Sequence, residues 1–98
     1  MSFRLEVRDR ASEEFIEGYL WYENQRDGLG EEFHDEVQEH FAFLRERPEG
    51  FAKWRGTYKK INLSRFPYII VFRVVKNTVI IFSVFHNKRD PKHWGHVR

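Results

Sequence analysis

Tyr68–Val75 reads YIIVFRVV and Thr78–His86 reads TVIIFSVFH, with only Lys76-Asn77 between them. Both runs are dense in β-branched and aromatic residues, which fit a pleated, half-buried surface. A two-residue link with Asn at its second position predicts a tight hairpin. Counting outward from the turn sets the register: Val75 opposite Thr78, Arg73 opposite Ile80, Val71 opposite Phe82 and Ile69 opposite Val84. These residues form one face, with His86 at its far end. The other face carries Tyr68, Ile70, Phe72, Val74, Val79, Ile81, Ser83 and Phe85. Both faces are mainly apolar, so both call for cover.

The upstream chain supplies that cover for one face. Phe3, Leu5 and Val7 alternate with Arg4, Glu6 and Arg8, the period-2 pattern of a strand. From about Asp9 the period becomes helical, with Ala11, Phe15, Tyr19 and Tyr22 recurring every three or four residues, flanked by Ile16 and Leu20. Asp9 or Ser12 is the expected N-cap. Asn24-Gln25-Arg26-Asp27-Gly28 ends this helix. A second stripe, Leu29, Phe33, Val37, Phe41 and Leu44, runs to Pro48. Two amphipathic helices on a short link predict an antiparallel pair. Between Pro48 and the hairpin, Phe51 to Trp54 and Thr57 to Leu63, split by Gly56, read as one irregular strand or two short ones. The expected fold is α+β, β-α-α-β-β-β, with the helix pair on one face of a small, mainly antiparallel sheet and residues 1–98 forming one domain.

Two helices cover one face only. The uncharged face, through Phe72 and Ile81, is expected to receive them. The face bearing Arg73, Thr78 and His86 is then left open, with Ile69, Val71, Ile80 and Phe82 exposed on it. A partner protein or the C-terminal tail is expected to cover such a patch.

Composition narrows the function. The 98 residues are 41% hydrophobic and 17% aromatic, enough for a core. The net charge of +2 conceals a division. Residues 1–47 hold six basic and thirteen acidic side chains, whereas residues 48–98 hold eleven basic and two acidic. The second half therefore suits an acidic or polyanionic partner. Absence of Cys excludes disulfide frameworks, thiolate metal sites and cysteine nucleophiles. The charged stretch Met1–Arg8 is no signal-peptide core, and no apolar run reaches the roughly 20 residues of a bilayer span. A cytoplasmic protein without membrane contact is expected.

Arg65-Phe66-Pro67-Tyr68 leads into the hairpin, and His86-Asn87-Lys88-Arg89-Asp90-Pro91-Lys92-His93-Trp94 follows it. With Gly28-Leu29-Gly30, Phe33, Pro48 and the order of elements, these segments resemble the RelE/ParE superfamily of bacterial toxins across nearly the whole chain. The resemblance implies a toxin of a type II toxin–antitoxin module, with growth inhibition, plasmid stabilization and a cognate antitoxin that wraps the toxin. An acidic, amphipathic antitoxin tail would match the basic half and the open face, and Ile69, Val71, Arg73, Ile80 and Phe82 are its expected contacts. The assembly is expected to be a homodimer or a toxin–antitoxin hetero-oligomer.

The superfamily has two branches, one inhibiting DNA gyrase (ParE-like) and one cutting mRNA on the ribosome (RelE-like). Ribonuclease members place basic residues at positions that only Lys60 (with Lys59 beside it) and Arg89 match here. Asn62, Ile69 and Trp94 occupy others and supply neither charge nor acid–base chemistry. Arg65, His86 and His93 are the available substitutes, so a metal-independent nuclease would rest on Lys60, Arg65, His86 and Arg89. The missing half of the set favours ParE-like action. A third reading is an inactive toxin-fold binding module. In any of them Lys59, Lys60, Arg65, Arg89 and Lys92 are the expected target or nucleic-acid contacts, since charge alone does not distinguish partners. No cofactor or metal is expected: His34 and His40 lie six apart, off ligand spacing. The helix acids read as a solvated face, and Trp21, Trp54 and Trp94 as packing residues.

Overall fold

The computed structural model describes residues 2–88. Arg4–Val7 forms β1, Asp9–Gln25 α1 and Leu29–Glu46 α2. A single 3-10 turn at Pro48–Gly50 leads to β2 (Lys53–Arg55), β3 (Tyr58–Asn62), β4 (Tyr68–Val75) and β5 (Thr78–His86). The sheet order is β1-β5-β4-β3-β2. β1 runs parallel to β5, and every other pair is antiparallel. The α+β expectation holds, and the ambiguous stretch after Pro48 resolves into two short strands turned at Gly56.

The helices bury the stripes their spacing implies. Phe33, Val37 and Leu44 of α2 are fully buried against Ile70, Phe72, Ile81 and Val84 of the central strands. Each such side chain contributes about 1.5–3 kcal/mol relative to exposure. Tyr22, Phe33, Phe66 and Tyr68 form an aromatic cluster, with the Tyr22 and Phe66 centroids 4.8 Å apart. Tyr68 is 3% exposed. Three details of the helix reading are corrected. The residue preceding α1 is Arg8, in extended conformation without a side-chain cap, so neither Asp9 nor Ser12 is the N-cap. Ile16 and Leu20 face solvent. Trp21, expected to pack, is 49% exposed.

The hairpin register agrees with the count from the turn as far as Phe72↔Ile81 and then slips. Phe82 is an extra residue, so Val71 lies opposite Ser83 and Ile69 opposite Phe85, not opposite Phe82 and Val84. One inserted residue exchanges faces beyond it. Val84 joins the helix-facing core, whereas Phe85 joins Ile69 and Val71 on the other side. His86, opposite Tyr68, moves to the helix side.

The bulge is held from α1. β1 leaves the edge of β5 after Val7↔Ile81, and Glu14 takes its place. The Ser83 hydroxyl donates to Glu14 Oε1 at 2.5 Å and the Val84 N–H donates to the same oxygen at 3.0 Å. A helix carboxylate thus satisfies the edge that the strand has vacated.

The open-face expectation is also corrected. Val71 is 0% exposed, Ile80 7% and Ile69 9%. Trp54, Tyr58 and Phe82 pack over this second cluster. The wide side chains of β2 and β3 curl across the face, and only Phe82 and Arg73 of the five expected contacts are half-buried rather than buried.

Candidate functional site

The basic residues of the second half are placed by two local devices. The first is the connection at 63–67, where Glu36 of α2 receives the chain. Its Oε2 accepts the Ser64 N–H at 2.6 Å and the Ser64 hydroxyl at 2.8 Å, and its Oε1 accepts the Arg65 N–H at 3.1 Å. His40, one turn on, lies 3.3 Å from Oε2. Burial pushes the Glu36 carboxyl up, but the Ser64 and Arg65 donors together with His40 outweigh it and hold the group below its ordinary value. Arg65, oriented by this anchor, reaches Glu32, which also pairs with Arg26 at 3.2 Å. Arg26 first, then Arg65, keeps the Glu32 carboxyl below its usual range.

The second device is cation-on-aromatic packing on the helix-free face. The Arg55 guanidinium lies 4.7 Å and the Lys60 ammonium 5.4 Å from the Trp54 ring centroid. Arg73 lies 5.7 Å from both Tyr58 and Phe82, and its Nη1 donates to Thr57 Oγ1 at 3.5 Å. Arg8 lies 5.1 Å over Phe82. Four cations interleaved with three aromatic rings make a surface suited to an acidic, partly apolar ligand.

Among the described residues, the expected site residues divide between the two faces of the sheet. Lys59 and Lys60 are adjacent in β3 and therefore point to opposite faces, Lys59 paired with Phe72 and Lys60 with Val71. His86 stacks edge-on against Tyr68 on the helix side, with centroids 5.3 Å apart. Its Nδ1 accepts the Lys88 N–H at 3.2 Å, which leaves the proton of the neutral ring on Nε2. Lys60 sits on the helix-free face, Arg65 is held at Glu32, and His86 faces the helices. Proton transfer and phosphate neutralisation at one bond require such groups to converge. Lys60 stands on the opposite face of the sheet from His86, whereas the end of β5 meets the Arg65 connection, where the Asn87 N–H donates to the Pro67 carbonyl at 2.8 Å. Arg89 and Lys92, like His93 and Trp94, lie outside the described residues.

Sequence reasoning missed the working acids. The spacing sets Glu14, Glu32 and Glu36 on solvated helix faces, yet two hold loops or edges and one pins Arg65. The position of Glu36 beside Val37 and Phe33 was the available signal, since a flanking acid on a buried stripe needs donors. Glu31, His34 and Asp35 bring potential metal-ligand atoms within 4.8 Å of one another on α2. The cluster is mostly exposed, and Glu31 accepts the Tyr19 hydroxyl at 2.6 Å.

The family model described as the ParE toxin of the type II toxin–antitoxin system parDE matches residues 5–91. The chain belongs to the ParE toxin family. No curated protein matches it significantly. Among solved structures, this ParE-family chain is similar to one described as the chromosomal ParDE toxin–antitoxin system from P. aeruginosa, with TM-score 0.76 and 16% identity over 87% of this chain and 96% of that one. The isolated E. coli RelE toxin gives TM-score 0.65 and 22% identity, over 98% and 96% of the two chains. The archaeal RelE-RelB complex from Pyrococcus horikoshii OT3 gives 0.53 and 12%, over 91% and 99%. These likenesses establish the fold, which ParE and RelE toxins share. The sequence model is what places the chain with ParE.

Proposed function

We propose that this type II toxin arrests growth by ParE-like action on DNA gyrase and is neutralised by a cognate antitoxin. The observation that carries the reading is the ParE model match over residues 5–91. The placement of Lys60 on the face of the sheet away from His86 supports it, because a ribonuclease would bring such groups to one phosphate. For the antitoxin, the helix-free face supplies the chemistry: Phe82, Trp54 and Tyr58 offer apolar surface, and Arg73, Arg55 and Lys60 offer charge to an acidic segment. Ile69 and Val71 act from beneath, as the floor on which the rings rest. Similar folds described as a ParDE system and a RelE-RelB complex support an antitoxin partner.

The test is induction of the toxin alone in a bacterium, with RNA and DNA read together. Gyrase-linked DNA breaks and an SOS response with intact transcripts are expected. Cleaved transcripts with normal DNA supercoiling would establish the ribonuclease instead, and healthy growth with folded, soluble protein would establish the inactive binding module.

A further inference from the structure

Three large apolar side chains stand on the solvent side of α1. Ile16 and Leu20 are each 55% exposed and Trp21 is 49% exposed. Helical spacing places them with Glu13, Glu17 and Asn24 on one face, opposite the buried Ala11, Gly18 and Tyr22. Trp21 meets the Tyr22 ring edge-on, with centroids 5.1 Å apart, so its indole is supported at the margin of the patch.

The charge around this patch has one sign. Glu13 and Glu17 are exposed, and among the described residues no arginine or lysine pairs with either. The arginines near them are engaged elsewhere, Arg10 with Glu14 at 3.4 Å and Arg26 with Glu32 at 3.2 Å. An apolar strip bordered by uncompensated carboxylates is complementary to an apolar strip bordered by cations.

We propose that the Ile16–Leu20–Trp21 face of α1 docks a basic amphipathic helix of a partner protein. A second copy of this chain is a poorer occupant, because an isologous contact sets the same acidic rim of Glu13 and Glu17 against itself. An anionic lipid surface is repelled by the same groups, and an acidic segment is suited to the opposite side of the molecule. The proposal is independent of the gyrase reading, since it concerns a different surface and a directly measured contact.

The full chain is titrated with a synthetic amphipathic peptide carrying Leu along one helical face and Lys along the other, and amide NMR shifts are followed at two salt concentrations. Shifts concentrated between residues 13 and 24 are expected. The double variant Ile16→Asn, Leu20→Asn should weaken binding about tenfold, the loss expected for two half-buried contacts. Glu13→Gln with Glu17→Gln should weaken it and flatten its salt dependence. All four positions are exposed, and far-UV circular dichroism confirms that the variants fold. Shifts confined to other elements, equal binding of a Leu/Glu peptide, or indifference to both variant pairs would overturn the proposal. So would a wild-type dimer dissolved by the Asn variant, which assigns the face to a second copy, or co-sedimentation with anionic vesicles lost in that variant.

Discussion

At the scale of single residues, the decisive side chains are acids that anchor backbone. Glu36 is 6% exposed and receives three donors from Ser64 and Arg65, so it fixes where the chain enters β4. Glu36→Ala should lower stability by about 2 kcal/mol, the cost of leaving such donors without their acceptor, measured by urea unfolding. The pH sign follows from the lowered pKa. The unfolded carboxyl binds protons more readily than the folded one, so this stabilisation is full above the ordinary value of 4.5 and is lost as pH falls through the lower folded value. The difference between wild type and Glu36→Ala should therefore narrow on acidification; a gap that widens would contradict the assigned ionised state. Nothing in the sequence separates Glu36 from its exposed neighbours except its position beside a buried stripe, because its donors come from a loop 28 and 29 residues away.

Secondary-structure elements were largely legible, since each announces itself through local period. The helix stripes, the β1 alternation and the hairpin turn all depend on residues within a few positions of one another. The bulge in β5 does not. Counting in twos has no marker for an extra residue, and the slip at Phe82 is stabilised by Glu14, 69 and 70 positions away. Glu14→Ala should cost about 1–3 kcal/mol by removing the acceptor of the buried Val84 N–H, and it should speed hydrogen exchange at the Val84 amide first. Unchanged protection there would mean that the strand holds its own register. The helix hairpin offers a second test. A Cβ on Gly30 would sit 2.8 Å from the Tyr19 carbonyl oxygen, a backbone atom. Gly30→Ala should force the helices apart and lower stability by about 1–3 kcal/mol, the range for overpacking, seen as a reduced melting temperature.

Across the whole molecule, the acidic and basic halves of the chain become surfaces with different assignments. The acids of α1 and α2 include structural anchors (Glu14, Glu23, Glu32, Glu36) and an uncompensated rim (Glu13, Glu17). The basic residues divide between the Arg65 connection and the aromatic-backed face of β2, β3 and β4. Arg65→Glu together with Arg89→Glu should abolish growth arrest while the protein stays folded, because the Arg65 side chain is 59% exposed. Full toxicity in that double variant, with circular dichroism unchanged, would remove this basic surface from the working site.

By itself the sequence determined the order of elements, the two buried helix stripes, the turn of the hairpin and its first register pairs, and through its segments the toxin family. Those features rest on local backbone period and on runs of residues that stay contiguous. Tertiary structure decided which side of the sheet each residue beyond Phe82 occupies, whether Ile69, Val71 and Ile80 are open to solvent, and which faces Lys60 and His86 take. Each of those outcomes turns on a contact between distant segments: Glu14 with Ser83, the Trp54 and Tyr58 rings with the sheet face, Glu36 with the connection into β4. A contact of that kind is specified by the packed chain as a unit and leaves no periodic trace along it.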